Sequence, residues 1–131
     1  MAMSVTKLKT SFVDDRGEIK DILVREPVDA ITVIRSKKGV VRGNHYHKKT
    51  VQWTYLHEGR VKYLSQAGDG PVEACIVEPG DLIVSPAMEK HAVIALEESV
   101  FYVFTRGSRG GESYEDDTYR LDTPLVDPET V

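Results

Sequence analysis

The chain holds a single cysteine, Cys75, in 131 residues, so no intramolecular disulfide can staple it and its stability must come from packing. Basic residues are outnumbered. Lys and Arg total 17 against 21 Asp and Glu, leaving a net charge of −4 and none of the positive excess a nucleic-acid partner demands. No apolar run approaches the roughly 20 residues that span a bilayer, which argues against a membrane partner. The opening Met1-Ala2-Met3-Ser4 lacks the apolar core of a signal peptide. These absences lead us to expect a cytoplasmic protein. Cys75 lies in an apolar strand-like stretch, so it is expected to fill core and not to act as a nucleophile. Sustained helical periodicity and internal repeats are also missing.

What is present is a rhythm of short Ile- and Val-rich segments: Glu18–Val24, Ala30–Ser36, Gly39–Tyr46, Val51–His57, Arg60–Ala67, Val72–Glu78, Leu82–Ser85, His91–Leu96 and Val100–Thr105. Gly, Pro and Asp clusters punctuate them, including Asp15-Arg16-Gly17, Gly68-Asp69-Gly70-Pro71 and Pro79-Gly80. This spacing predicts a single all-β domain over 1–131, a barrel or sandwich large enough to bury about two-thirds of its unfolded surface. His57-Glu58-Gly59-Arg60 reads as a tight hairpin turn with Gly59 at positive φ. The core runs from about 18 to 106. From 107 to 131 the composition shifts to a Gly-rich, then acidic and Tyr-bearing tail, expected to wrap the barrel or serve as an interface arm.

Three of the four histidines fall into one pattern. His45 and His47 are two apart and share a face of an extended strand. Gln52 begins the next strand and can turn its amide oxygen inward, and His91 comes from a distant strand. Three imidazoles and one oxygen donor suit a first-row divalent ion such as Zn, Fe, Mn or Ni. The competing reading keeps the histidines as acid–base groups without metal. A neutral amide in place of a carboxylate leaves the site one negative charge short, which lowers metal affinity and raises Lewis acidity. Alternation then turns Thr54 and Leu56 inward with Gln52, and Val93 and Ala95 inward with His91. Trp53 and Tyr55 face outward, which motivates cover by the tail or by a homodimer. His57 reads as a surface residue. Arg42 flanks the pocket mouth, where its planar fork would suit an anionic group.

Gly39, His45-x-His47, Gln52 and Gly59 together resemble the first cupin motif, with Gln where Glu is usual. Gly80, Pro86 and His91 resemble the second. The second motif is broken at Met88, where glycine is usual, and at Ala95, where asparagine is usual. The resemblance implies a double-stranded β-helix, the RmlC-like jelly-roll barrel, with metal near its open mouth. Asp15-Arg16-Gly17-Glu18-Ile19 and Arg42-Gly43-Asn44-His45-Tyr46-His47-Lys48 also resemble cupins that act on nucleotide sugars. These are dTDP-4-dehydrorhamnose 3,5-epimerases, sugar 3,4-ketoisomerases, and the metal-binding C-terminal cupin domain of capsular-polysaccharide reductase/epimerase enzymes.

That narrower resemblance implies epimerisation or keto-isomerisation of a 4-keto nucleotide sugar, begun by proton abstraction α to a carbonyl. In the ketoisomerases the paired histidines move protons, and His45 and His47 stand in their places. If metal takes all three histidines, Tyr63 and Tyr102 are the candidate acid–base groups. Arg16, Arg42, Arg60 and Lys62 are the cations available for a diphosphate. Two rivals stand beside this reading: a metal-dependent cupin dioxygenase and a non-enzymatic small-molecule-binding cupin.

Overall fold

Alternating apolar and polar side chains need a two-faced sheet, and two such sheets bury their apolar faces against each other. The computed structural model, which describes residues 4–107 and 116–126, follows that rule. It contains β1 (Ser4–Lys7), β2 (Phe12–Asp14), β3 (Gly17–Ile19), β4 (Ala30–Ser36), β5 (Val41–Tyr46) and β6 (Val51–Glu58). Then come β7 (Val61–Ala67), β8 (Glu73–Val77), β9 (Asp81–Ser85), β10 (Glu89–Ala95), β11 (Ser99–Arg106) and β12 (Tyr119–Arg120). One five-stranded sheet has the order β1-β9-β6-β11-β4 and the other β12-β5-β10-β7-β8, with β2-β3 as a separate hairpin. No helix occurs among the described residues, so none is long and apolar enough to cross a membrane. The all-β jelly roll expected from the sequence is what the chain forms.

The inner faces meet in a cluster of Leu56, Val61, Tyr63, Val77, Ile83, Phe101 and Val103, with Val5, Ile34 and Val93 packed against it. Leu56 is 1% exposed, and truncating such a side chain to Ala costs about 2–5 kcal/mol. Tyr63, Phe101 and Val103 of this cluster also line the cavity described below. Trp53 faces outward as expected, yet it is only 6% exposed within one chain, with the Arg106 guanidinium 5.7 Å from its ring centre. Tyr55 is half-buried. Trp53 therefore needs no second chain to cover it.

Three departures from the sequence reading have physical causes. The turn at Gly59 is not a hairpin. β6 pairs with β9 and β11, whereas β7 pairs with β10 and β8, so the turn carries the chain from one sheet to the other. Gly59 does adopt positive φ, at 92°, and an added Cβ would strike the Glu98 carbonyl and Ser99. The expected Glu18–Val24 strand stops at Ile19, because β3 pairs only with the three-residue β2. Finally, β5 carries a bulge. His91 pairs with His45 but Ala92 with Gly43, so Asn44 is passed over. Gly43 and Asn44 sit at φ 91° and 58°, conformations that Gly and Asn tolerate best. A Cβ on Gly43 would lie 2.9 Å from the His91 carbonyl oxygen.

Met88 also lies at positive φ, 71°, at the position where the resemblance led us to expect glycine. Its side chain is 56% exposed, so it returns little packing for the strain. Left-handed backbone costs a non-glycine residue about 1–2 kcal/mol, and glycine gives back about 0.5–1 kcal/mol as unfolded-chain entropy. Met88→Gly should therefore raise stability by about 0.5–1 kcal/mol in urea unfolding. Met88→Ala, which keeps the strain, should not raise it.

Candidate metal centre

β5 and β10 are hydrogen-bonded neighbours, and their register sets His45 directly opposite His91. His47 lies one residue beyond β5. The ring centres of the three imidazoles are 4.7–5.3 Å apart, and one ligand nitrogen from each lies within 4.8 Å of the others. Two nitrogens about 2.1 Å from a shared ion can be at most about 4.2 Å apart, so a small inward turn of the rings completes the set. Gln52 starts β6 in the opposite sheet and is buried. It faces the histidines across the barrel and not from an adjacent strand, as the sequence had suggested.

The donor chemistry fits a cation. His47 Nδ1 is 2.7 Å from the Asp117 carbonyl oxygen. A ring N–H donating there fixes the tautomer and leaves Nε2 as the lone-pair nitrogen. That Nε2 is buried and has no hydrogen-bond partner among the described residues. Burial, and secondarily the proximity of His47, push the His91 pKa down to about 4. His91 is thus a neutral imidazole near pH 7, the state a metal ligand requires.

The cavity above this cluster measures about 580 Å³. Its wall is apolar where Ile34, Val93, Phe101 and Val103 line it, and polar at His45, His91, Gln52, Thr54, Tyr63 and Ser85. The Tyr63 hydroxyl bonds Ser85 Oγ at 2.6 Å and donates to Glu89 Oε1 at 3.0 Å. Burial, with Glu89 beside it, raises the phenol far above its ordinary range, so Tyr63 stays protonated. Glu89 is itself buried, and burial pushes its carboxyl up to about 7, with Glu73 adding to the rise against the Tyr63 hydrogen bond.

The structure divides the other sequence candidates. Arg42 lines the cavity, because the bulge at Asn44 places it opposite the cavity-lining Val93 and so on the face of His45. Its Nε donates to Ser36 Oγ at 2.8 Å and its Nη2 to the Arg35 carbonyl at 3.0 Å, which ties the two sheets at the mouth. Arg16 instead pairs with Asp14 in the β2-β3 turn, 2.6 Å apart. Arg60 lies 4.0 Å from Glu97. Lys62 alternates with the inward Val61 and Tyr63 and turns away from the cavity. None of these three is among its lining residues. Tyr102 is likewise outside it, half-buried against the His57 ring, and His57 is exposed as expected. Cys75 is half-buried on β8.

Sequence reasoning missed Asp117, Glu89 and Arg120. Asp117 accepts from the Lys48, Lys49 and Thr50 backbone N–H groups and from the Thr50 hydroxyl, all within 2.8–3.0 Å. Arg120 on β12 also lines the cavity. The signal for Asp117 was faint: one acid in an acidic tail.

The Cupin domain family model matches residues 32–105, and the chain belongs to the cupin family. An oxalate decarboxylase from Bacillus subtilis is 32% identical over 119 residues, which is 80% of this chain but 30% of that longer protein. Among solved structures, a 3,4-ketoisomerase from Helicobacter canadensis superposes with TM-score 0.76 at 16% identity, covering 92% of this chain and 91% of that one. A sugar 3,4-ketoisomerase from Thermoanaerobacterium thermosaccharolyticum in complex with TDP gives 0.75 at 19% identity, with 92% and 89% covered. The dTDP-4-dehydrorhamnose 3,5-epimerase from Sulfolobus tokodaii gives 0.73 at 22% identity, with 90% and 76% covered. At these identities the likeness is one of fold.

Asp117 yields a prediction with a definite sign. Burial alone would raise its pKa, but the hydrogen bonds from Lys49, Thr50 and Lys48 outweigh burial and hold it at about 2, below 3.8. Because the folded value is the lower one, the stabilisation is complete above 3.8 and is lost as the pH falls through about 2. Asp117→Ala should cost about 2–3 kcal/mol in urea unfolding at neutral pH, the scale of buried donors left unpaired. The gap between it and wild type should narrow as the buffer is acidified below 3.8.

Proposed function

We propose that this cupin binds a divalent metal through His45, His47, His91 and Gln52 and acts as an epimerase or keto-isomerase on a 4-keto nucleotide sugar. The observation that carries the metal is the convergence of three imidazole nitrogens within 4.8 Å. What supports the substrate is the cavity of about 580 Å³, together with the fold shared with ketoisomerases and an epimerase. A bound ion would polarise the substrate carbonyl and stabilise the enolate that forms when the α-proton leaves.

The chain's own groups divide the remaining work. The apolar wall excludes bulk water beside the reacting carbon. Tyr63 keeps its proton and donates it to Glu89, so it is not a base, and it would have to give up that bond before it could donate to a developing oxyanion. In a metal-free site, the base would come from His45, His47 or His91, of which His91 is neutral near pH 7. Arg42 contributes the donors left beyond Ser36 and Arg35 to an anionic part of the ligand.

A second reading, metal-dependent chemistry on a small carboxylic acid, decarboxylation or dioxygenation, is supported by the 32% identity to the oxalate decarboxylase. Deuterium exchange separates the two. In deuterated water, 4-keto nucleotide sugars should exchange the proton next to the ketone, seen by NMR, and His45→Ala should abolish it. Release of carbon dioxide and formate from oxalate, or oxygen uptake with another organic acid, and no exchange would move the assignment to the second reading.

Elemental analysis tests the site itself. Wild-type protein purified without chelator should carry near-stoichiometric metal, and His91→Ala should lose it while keeping a β-type circular dichroism spectrum. Gln52→Glu should hold metal more tightly, because a carboxylate adds the missing negative charge. Wild type with no metal, and no rise in melting temperature on adding it, would sink the metal assignment.

A further inference from the structure

A two-residue strand contributes little packing by itself, yet β12 is fastened on both sides. Upstream, Asp117 holds the 48–50 backbone as described. Downstream, Asn44 Oδ1 accepts from the Leu125 and Val126 N–H groups at 2.9 and 3.2 Å, and its amide donates to the Val126 carbonyl at 2.9 Å. The Leu121 N–H adds a bond to the Asn44 carbonyl at 3.0 Å. Between these anchors, Tyr119 pairs with Tyr46 and Arg120 with His45. The Tyr119 ring stacks on Tyr46 with centres 5.3 Å apart, and Lys48 Nζ lies 4.4 Å from its centre.

Residues directly opposite each other in an antiparallel pair share a face. Tyr119 therefore follows Tyr46 outward, and Arg120 follows His45 toward the cavity, which it lines. We propose that Arg120 is an anion-binding residue of this site, delivered by the C-terminal segment, and that it works with Arg42 on one oxyanion group of the ligand. Arg42 and Arg120 both line the cavity. Arg42 already commits two donors to Ser36 and Arg35, so a second guanidinium is what completes a fork for paired oxygens. The ligand group is a diphosphate or a carboxylate, which share this chemistry. The proposal rests on the cavity being the ligand site.

The test compares TDP and oxalate by titration calorimetry on protein as purified, with matched metal content. Arg120→Gln should weaken binding of one or both by about tenfold or more, the scale of one charge-assisted hydrogen bond. Arg120→Lys should recover only part of that loss. Lys38→Gln, which removes an exposed charge elsewhere, should bind as wild type does, and the melting temperatures of the variants should match. Equal affinity in wild type and Arg120→Gln overturns the proposal while leaving the sugar-nucleotide reading intact. Arg120-dependent binding of oxalate with none of TDP supports Arg120 and sinks that reading. Wild type that binds neither anion overturns the role of Arg120.

Discussion

The register between β5 and β10, interrupted by one bulge, is the constraint on which the rest of the site depends. Pairing His91 with His45 brings together two imidazoles that are 46 positions apart in the chain. Passing over Asn44 then reverses the alternation, so that Arg42, three residues before His45, returns to the same face. Without the bulge the arginine would point into solvent on the outer face. The local cost is confined to Gly43 and Asn44, whose positive φ values suit those residue types. Gly43 additionally leaves room for the His91 carbonyl, which any larger residue would strike.

The same bulged residue organises the far end of the chain. Asn44 points away from the cavity and uses its amide to hold Leu125 and Val126. Asp117, buried against the 48–50 turn, fixes the other end of that segment and lends its carbonyl to His47. Two residues thus couple the C-terminal segment to the strand that carries two of the three histidines. The tail is built into the orientation of one imidazole, so disturbing its anchor acts on the site as well as on the surface.

Much of this was legible in the sequence, and the rest was hidden for identifiable reasons. His45 and His47 declare themselves by a period of two, and Gln52 and His91 by the cupin spacing. The inward set Gln52, Thr54 and Leu56 follows from simple alternation. The nearness of Arg42 to the histidines places it beside the pocket, but the bulge that puts it on the face of His45 cannot be read from a period. Gly59 marked a turn correctly, yet the same turn chemistry serves a hairpin and a crossing between sheets. Arg16 is taken up by Asp14 two residues away and Lys62 is turned outward by simple alternation with Val61 and Tyr63, whereas the pairing of Arg60 with Glu97 is tertiary and has no local pattern. Nothing in the sequence singles out Glu89, and only the register with Ala67 on β7 and the bond to Tyr63 reveal its burial. β12 has two residues and no pattern at all. Met88 is the converse case: the sequence flagged a missing glycine, and the backbone there retains the conformation that glycine favours.

The charge of the cavity narrows what it can hold. Three neutral imidazoles and an amide would leave a bound divalent ion with its full positive charge, and the lining residues offer no carboxylate among those described. A neutral ligand in that setting would leave the ion's charge uncompensated behind an apolar wall, an expensive arrangement in a medium of low dielectric. An anionic ligand resolves the imbalance, and it does so for either chemistry the relatives suggest. What separates the two is where the anion sits. A small acid would place its carboxylate on the metal itself, so its reacting carbon would lie against the histidines. A nucleotide sugar would place its diphosphate at the arginines of the mouth and its ketone at the metal. The apolar wall between those points, formed by Val93 and Phe101 among others, would then face a sugar ring's carbon skeleton. A two-ended ligand would use both the metal end and the arginine end of this cavity, whereas a small acid would use only the first.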